Sequence, residues 1–388
     1  MSPKNADAFP IGATVTLGQL EDEPHPVLAR LRKDEPVSWL PALQGWLVTR
    51  HDLAMAVMRD ASTFTVDDPR FSTAQVVGPS MLSLDGTDHA RHRAPFAAPF
   101  RPTPVKDRFA EPAADEANRL IDGFAAAGQA ELRRAFAGPL AASIMARALG
   151  LDHDEVAPML GWYDGIVAAV TDITAGQNVP AAGRDAFAAL SARLNAVLPD
   201  DTQLLGAAAT QSDLTHDQVI SNAAILLFGG IETTEGMITN ALLCLLENHT
   251  AAADPPPLDA VIDESLRLEP AAAVVDRYAT TDTTLGSAHI DQGDLVRVSI
   301  TAANRDPAIF EHPDQYIPGR PRARRHLAFA QGPHVCLGIH LARLEARAGL
   351  TALTNRLHGL RLDPELPATV QGLVFRKPPT LHARWDPA

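Results

Sequence analysis

Residues 329–338 read Phe329-Ala330-Gln331-Gly332-Pro333-His334-Val335-Cys336-Leu337-Gly338. The stretch that follows, Ile339-His340-Leu341-Ala342-Arg343-Leu344-Glu345-Ala346-Arg347, carries its apolar residues at helical spacing. Cys336 therefore stands just ahead of a helix N-terminus, where free amides and the helix dipole favour a thiolate over a thiol. Gly332-Pro333 predicts a turn that folds the loop beneath a flat ligand, and Gly338 permits a close approach of backbone. The only other cysteine, Cys244, sits in the apolar run Ala241-Leu242-Leu243-Cys244-Leu245-Leu246 and is expected to be a small buried hydrophobe. Two cysteines exclude a disulfide framework and a multi-cysteine zinc site.

Upstream of this loop, residues 215–247 predict one helix, buried all round because its apolar run is almost unbroken. It opens on Thr215-His216-Asp217-Gln218, a capping box in which Thr215 and Gln218 exchange bonds with the free amides. Its middle is interrupted by Gly229-Gly230-Ile231-Glu232-Thr233-Thr234, a poor choice for a helix interior and a costly one inside a core. A sequence that breaks its local rule in this way marks a function. Glu264-Ser265-Leu266-Arg267 puts two opposite charges on one helix face, ordinarily a surface ion pair. In His89-Ala90-Arg91-His92-Arg93, His89 and Arg93 stand one turn apart. Residues 24–60 predict helix, hairpin, helix, with the hairpin turn at Gln44-Gly45. Residues 61–84 have no period and predict a long functional loop. Most segments from 86 to 250 are helical by period, and the texture turns to strands past residue 270.

These segments, in this order, resemble the cytochrome P450 superfamily over nearly the whole chain. Residues 329–338 resemble its haem-binding loop, F-x-x-G-x-x-x-C-x-G, with every fixed position present, Phe329 and Cys336 among them. The resemblance implies a mainly α fold with a smaller β-rich lobe, a long central helix over the haem, and haem b (iron protoporphyrin IX) with Cys336 as its iron ligand. A thiolate in that position pushes electron density onto the iron and favours O–O cleavage. Gly229 to Thr234 resemble the oxygen-activation motif, with Thr233 as the alcohol that hydrogen-bonds oxygen, Glu232 as the acid that relays protons, and Gly230 near the cofactor. His89, Arg93, Arg277 and His334 match positions that bind the haem propionates. Glu264 and Arg267 match the family's E-x-x-R, a buried network that a downstream arginine completes and that holds the cysteine loop; Arg320 is the best match for the third member. Three departures are visible: Glu232 where Asp is common, a short connection from 199 to 215, and Ala-Ala-Ala-Asp-Pro-Pro-Pro in place of a helix between 247 and 260.

The activity so implied is that of a monooxygenase, in which O2, two electrons and two protons place one oxygen in the substrate and one in water. The same fold supports peroxide-driven oxidation, dehydration and oxidative coupling, and a non-enzymatic haem carrier or sensor would need no proton delivery. Phe71, Val76, Val77, Met81, Leu227, Ala272, Val274 and Val275 are candidates for the pocket wall; they suit a small apolar terpenoid, steroid or polyketide-like substrate, and plain core packing explains several of them equally well.

Bulk properties narrow the partners. The 388 residues are 46% hydrophobic and 21% charged, enough apolar material for a large core, with the whole of 1–388 expected as one domain and the β-rich lobe mainly at 20–60, 270–320 and the C-terminal strands. A net charge of −14 argues against nucleic acid as a partner. No run reaches the ~20 apolar residues of a membrane span. The N-terminus lacks the apolar core of a secretory signal, so a cytoplasmic, monomeric protein is expected. No flavin or nicotinamide motif is present, so electrons are expected from a separate ferredoxin and its reductase. Arg322, Arg324, Arg325, Arg343 and Arg347 would form the basic patch that steers an acidic ferredoxin, unless some of them hold local carboxylates such as Glu345 or bind haem.

Overall fold

The structure, a computed structural model, describes residues 8–174, 178, 180–200, 202–249 and 256–386. It is mainly helical with a smaller β-rich part, and it divides into two units: one built from 1–66, 236–336 and 358–386, the other from 67–235 and 337–357.

The first unit holds a five-stranded sheet. Val37–Leu40 and Gly45–Val48 pair as an antiparallel hairpin, with Val37 opposite Val48. Gln44 takes the left-handed turn position at φ 49°, so the tight turn falls where the sequence put it. Gly45–Val48 then pairs parallel with Leu295–Ser299, which pairs antiparallel with Val274–Ala279, and Phe64–Thr65 closes the edge. Trp46, fully buried at the centre, donates its indole N–H to Asp294 Oδ2 at 2.8 Å and packs edge-on against Phe9 and Trp39. That satisfies the one polar atom of a large apolar ring. Around it Val48, Val57, Met58, Phe64, Val296 and Val298 form the core, so the helix His51–Arg59 is anchored to the sheet.

The second unit is a stack of helices. Pro102–Asp122 packs against Ile339–Arg356, the helix that follows Cys336. Val156–Thr174 packs against Ala181–Val197 through small residues: a Cβ on Gly165 would lie 2.9 Å from Ala186 Cβ, and one on Gly183 would lie 2.4 Å from Ala169 Cβ. The expected loop 61–84 contains a short helix, Ser72–Val77, and the connection after 199 contains Leu204–Gln211. Residues 250–255 of the departure between 247 and 260 lie outside the described residues.

The long helix spans His216–His249. Both capping-box bonds form, Thr215 N–H to Gln218 Oε1 at 3.0 Å and Gln218 N–H to Thr215 Oγ1 at 3.3 Å. The helix runs unbroken through Gly229-Gly230, as the reading of 215–247 as one helix expects. Packing explains Gly230. A Cβ on Gly230 would sit 2.4 Å from Met145 Sδ, so the helix Gly138–Leu149 occupies that space. Tertiary contact here outweighs the ~1 kcal/mol propensity cost of glycine.

Candidate functional site

The loop before Cys336 is shaped by backbone constraints. Ala330 and Gly332 adopt positive φ, 55° and 76°, and Val335 N–H closes a turn onto Gly332 O at 3.1 Å. Cys336 N–H then donates to Phe329 O at 2.9 Å, which ties the two ends of the loop. Gly332 presses on the helix His51–Arg59: a Cβ there would lie 2.4 Å from Met58 O, a backbone atom that has no freedom to turn aside. Cys336 itself is half-buried and in no disulfide, three residues ahead of Ile339–Arg356. Cys244, the other cysteine, is held as a thiol because burial pushes its pKa up to about 12. Phe329 and His334 are half-buried in the same loop.

Beneath this loop lies the charged network. Glu264 and Arg267, on the helix Leu258–Leu268, are fully buried. Arg267 donates to Glu264 through Nη2 at 2.8 Å and Nε at 3.0 Å, and to the carbonyls of Asn304, Pro313 and Gln315. Arg320 Nε lies 2.9 Å from both Glu264 oxygens. The structure thus brings Glu264, Arg267 and Arg320 together. Asn304 passes the brace on: its Oδ1 accepts Leu327 N–H at 2.6 Å, two residues before Phe329. Arg277, on Val274–Ala279, is buried and donates from Nη1 to Asp276 O at 2.7 Å.

Between Val219 and Leu243 the long helix is buried except at Leu226, Gly229, Gly230 and Thr233. Those four positions, at spacings of three and four, make one half-exposed stripe. A Cβ on Gly229 would meet nothing within 4 Å. Thr233 Oγ1 donates back to Gly229 O at 2.6 Å, leaving the hydroxyl's lone pairs to accept. Glu232 is buried and accepts a hydrogen bond from the Tyr163 phenol. One turn on, the fully buried Glu235 is instead held by guanidinium groups, Arg133 Nε at 3.2 Å and Arg134 Nη1 at 3.8 Å. His89 is buried and Arg93 half-buried on Gly86–Ala97.

Of the pocket candidates, Val76, Val77, Met81 and Leu227 are buried, while Phe71, Ala272, Val274 and Val275 are half-buried. Met81 N–H donates to Asn222 Oδ1 at 2.8 Å, and Asn222 Nδ2 meets His92 Nδ1 at 3.0 Å, so the long helix fixes the end of the expected loop. Sequence reasoning missed Asn222, His92 and Tyr163. The signal for Tyr163 was a phenol in an apolar helical run, which needs a partner when buried.

Two expectations about the basic residues are corrected. Arg324 is not free: its Nε lies 3.0 Å from Asp263 Oδ2, because Asp263 is nearly buried beside it and needs a counter-charge. Glu345 does not hold an arginine: it points into the core, 1% exposed, its Oε2 meets no partner, and burial pushes its pKa well above the ordinary carboxyl range. Arg322 and Arg325 are exposed and make no side-chain bond among the described residues.

The residues present fit a haem. Among the described residues no three His, Cys, Asp or Glu side chains gather as a metal site. A Cβ on Gly338, two residues past Cys336, would also meet nothing within 4 Å. No helix among the described residues is long and apolar enough to cross a membrane.

Known proteins are similar to this chain. The family model described as Cytochrome P450 matches residues 252–380. The chain is 32% identical over 380 residues to 20-oxo-5-O-mycaminosyltylactone 23-monooxygenase of Streptomyces fradiae, covering 91% of this chain and 86% of that protein. It is 32% identical over 367 residues to cytochrome P450 monooxygenase PikC of Streptomyces venezuelae, covering 88% and 85%. The solved structure of cytochrome P450 CYP109Q5 from Chondromyces apiculatus superposes with a TM-score of 0.82 at 26% identity, covering 97% of this chain and 98% of that one.

Proposed function

The chain belongs to the cytochrome P450 family, and on that premise we propose which of its residues do the work of a P450 monooxygenase. Haem b is the group they would hold, within a single catalytic domain over 1–388. Cys336 would be the thiolate ligand in the loop that begins at Phe329, with Gly230 near the cofactor. His89, Arg93, Arg277 and His334 would meet its two carboxylates, for which arginine is well shaped. Bound, the haem supplies the activation of O2, from which one oxygen atom enters the substrate.

The half-exposed stripe on an otherwise buried helix is the observation that carries the assignment of Thr233. With its proton given to Gly229 O, Thr233 presents an acceptor; to donate, the hydroxyl must rotate away from that carbonyl. Glu232 would hold the proton that is delivered, at a carboxylate already in a hydrogen bond. Peroxide-driven oxidation needs no such acid–alcohol pair, so Glu232 and Thr233 favour the use of O2. A haem carrier would have no use for them.

The substrate we infer is a small apolar molecule. The name of the Streptomyces fradiae relative, a mycaminosyltylactone 23-monooxygenase, supports the polyketide-like end of the range. Electrons would come from a ferredoxin and its reductase, with exposed Arg322 and Arg325 as the steering charges. The test uses a surrogate ferredoxin and reductase. Thr233→Ala and Glu232→Gln should keep substrate binding and electron consumption but divert flux to peroxide or water. Groups that move protons supply ~10²–10⁴-fold in rate, so product should fall visibly. Unchanged coupling in both variants would refute the assignment.

A further inference from the structure

An amide interrupts the apolar run of the long helix about three turns before Thr233. Asn222 is fully buried, next in sequence to the buried Val219, Ile220, Ala223 and Ala224. Asparagine is a poor helix former and its amide is costly to bury unpaired, so its partners are what account for it. Its Oδ1 accepts Met81 N–H at 2.8 Å, and its Nδ2 donates to Gln218 O at 2.8 Å and to His92 Nδ1 at 3.0 Å. The two backbone groups fix which way the amide points, because Met81 N–H can only donate and Gln218 O can only accept. His92 Nδ1 is therefore an acceptor and the ring proton sits on Nε2, so the 3.3 Å approach of Arg91 Nη2 to Nε2 is a contact rather than a bond. Burial, with the Arg91 guanidinium beside the ring, holds His92 below its ordinary pKa and favours the neutral ring that can accept.

Three elements thus meet at one side chain: the long helix, the helix Gly86–Ala97 that carries His92, and the turn around Met81. That turn is built from its own bonds. Ser83 N–H donates to Ser80 O at 3.0 Å, Ser80 N–H to Ser83 Oγ at 3.1 Å and Leu82 N–H to Ser80 Oγ at 3.3 Å. Among the described residues, Met81 N–H to Asn222 is the hydrogen bond that ties the turn to another element. Just before it, Gly78 has φ 82°, and a Cβ there would lie 3.2 Å from Ser221 Oγ, so the chain runs close against the same turn of the long helix.

We propose that Asn222 is a positioning residue for substrate binding: its amide latches the backbone of Met81 to the long helix and to His92, and so sets where this side of the pocket wall stands. This rests on the reading of Met81 as pocket wall. Loss of the latch leaves a buried N–H unpaired, which disfavours the binding-competent position of the turn and weakens every ligand that leans on it.

The chain has seven methionines, so methionine labelled with ¹⁵N and with ¹³C in its methyl group gives a readout at Met81 itself. The haem-loaded ferric protein is measured with imidazole on the iron, and again with phenylimidazole, which adds an apolar ring. Met81→Leu identifies the Met81 signals. In wild type the Met81 methyl signal should differ between the two complexes, and the Met81 amide should exchange slowly with deuterium oxide. Asn222→Leu keeps the volume but offers no acceptor. It should speed exchange of the Met81 amide by about tenfold or more. It should also weaken phenylimidazole by about three- to tenfold, the factor implied by the net worth of one neutral hydrogen bond, with imidazole affinity unchanged. Asn222→Asp still offers Met81 N–H an oxygen and should exchange within about threefold of wild type. A Met81 amide that exchanges in wild type as fast as an open loop overturns the proposal without any variant. Wild-type affinity for phenylimidazole in Asn222→Leu, beside a Met81 methyl signal that tells the two azoles apart, overturns the role of Asn222 alone. A Met81 methyl signal indifferent to the added ring overturns the reading of Met81 as pocket wall, and the role of Asn222 in binding falls with it.

Discussion

Replacing Arg267 by methionine tests the brace beneath the cysteine loop. Arg267 is fully buried and makes five hydrogen bonds, two to Glu264 and three to carbonyls. Methionine fills much of the volume but donates nothing. Glu264 keeps Arg320, and Gln315 O keeps Arg320 Nη2 at 2.8 Å, so those groups stay paired. Asn304 O and Pro313 O lose their side-chain donor. Breaking a buried pair costs ~3–5 kcal/mol. Each carbonyl left unsatisfied adds ~1 kcal/mol or more, for a total of about 5–7 kcal/mol. At roughly 2 cal/mol/K of unfolding entropy per residue over 388 residues, that lowers the melting midpoint by about 6–9 °C. Arg324→Gln is the control. It breaks an ion pair whose arginine side chain is 75% exposed, on the residue next to Glu264 in sequence. Such a pair contributes ~0–1 kcal/mol, or about 1 °C. The assay is thermal unfolding of the haem-loaded protein, followed by far-ultraviolet circular dichroism and by Soret absorbance. Arg267→Met should lower both midpoints, the Soret one at least as much, because the network reaches Leu327 through Asn304. If Arg267→Met and Arg324→Gln melt within about a degree of one another, the network does not brace the loop.

Gly332→Ala should release the cofactor: the position has φ 76° and its new Cβ would meet the Met58 carbonyl at 2.4 Å, whereas Gly293→Ala has φ 84° with nothing within 4 Å. Haem retained per chain should fall in the first and hold in the second; equal retention would count against the loop geometry. Glu345→Gln should flatten the pH dependence of stability, since burial raises the folded-state pKa of Glu345. The folded state keeps that proton where the unfolded chain gives it up, so stability is full below the ordinary carboxyl pKa of ~4.3. It falls by up to ~1.4 kcal/mol per pH unit above that, until the folded group ionises. Urea midpoints should therefore diverge between wild type and Glu345→Gln from pH 5 to pH 8, and parallel curves would contradict the buried, protonated acid.

What the sequence made legible was local. Thr215 and Gln218 lie three residues apart, and their reciprocal bonds follow from that spacing alone. The turn at Gln44 is likewise settled by the two strands that flank it. The helix Ser72–Val77 escaped because its apolar residues follow no period over so short a span. What Gly230 and Gly236 make room for escaped, because Met145 and Ala271, distant in sequence, decide it. Tyr163 and Glu232 are separated by 69 residues, and Arg324 and Asp263 by 61. No periodicity relates such pairs; only the folded chain does. Glu345 illustrates the converse: near Arg343 and Arg347 in sequence it is a candidate carboxylate partner, yet its side chain turns into the core.

The central claim is that Cys336 supplies the thiolate. It is tested most directly by the absorption spectrum of the reduced protein under carbon monoxide. Wild type and Cys244→Ser should both show the red-shifted Soret band of thiolate-ligated haem, since Cys244 is held as a buried thiol. Cys336→His should bind haem without that band. A thiolate spectrum that survives in Cys336→Ala would contradict the account at its root.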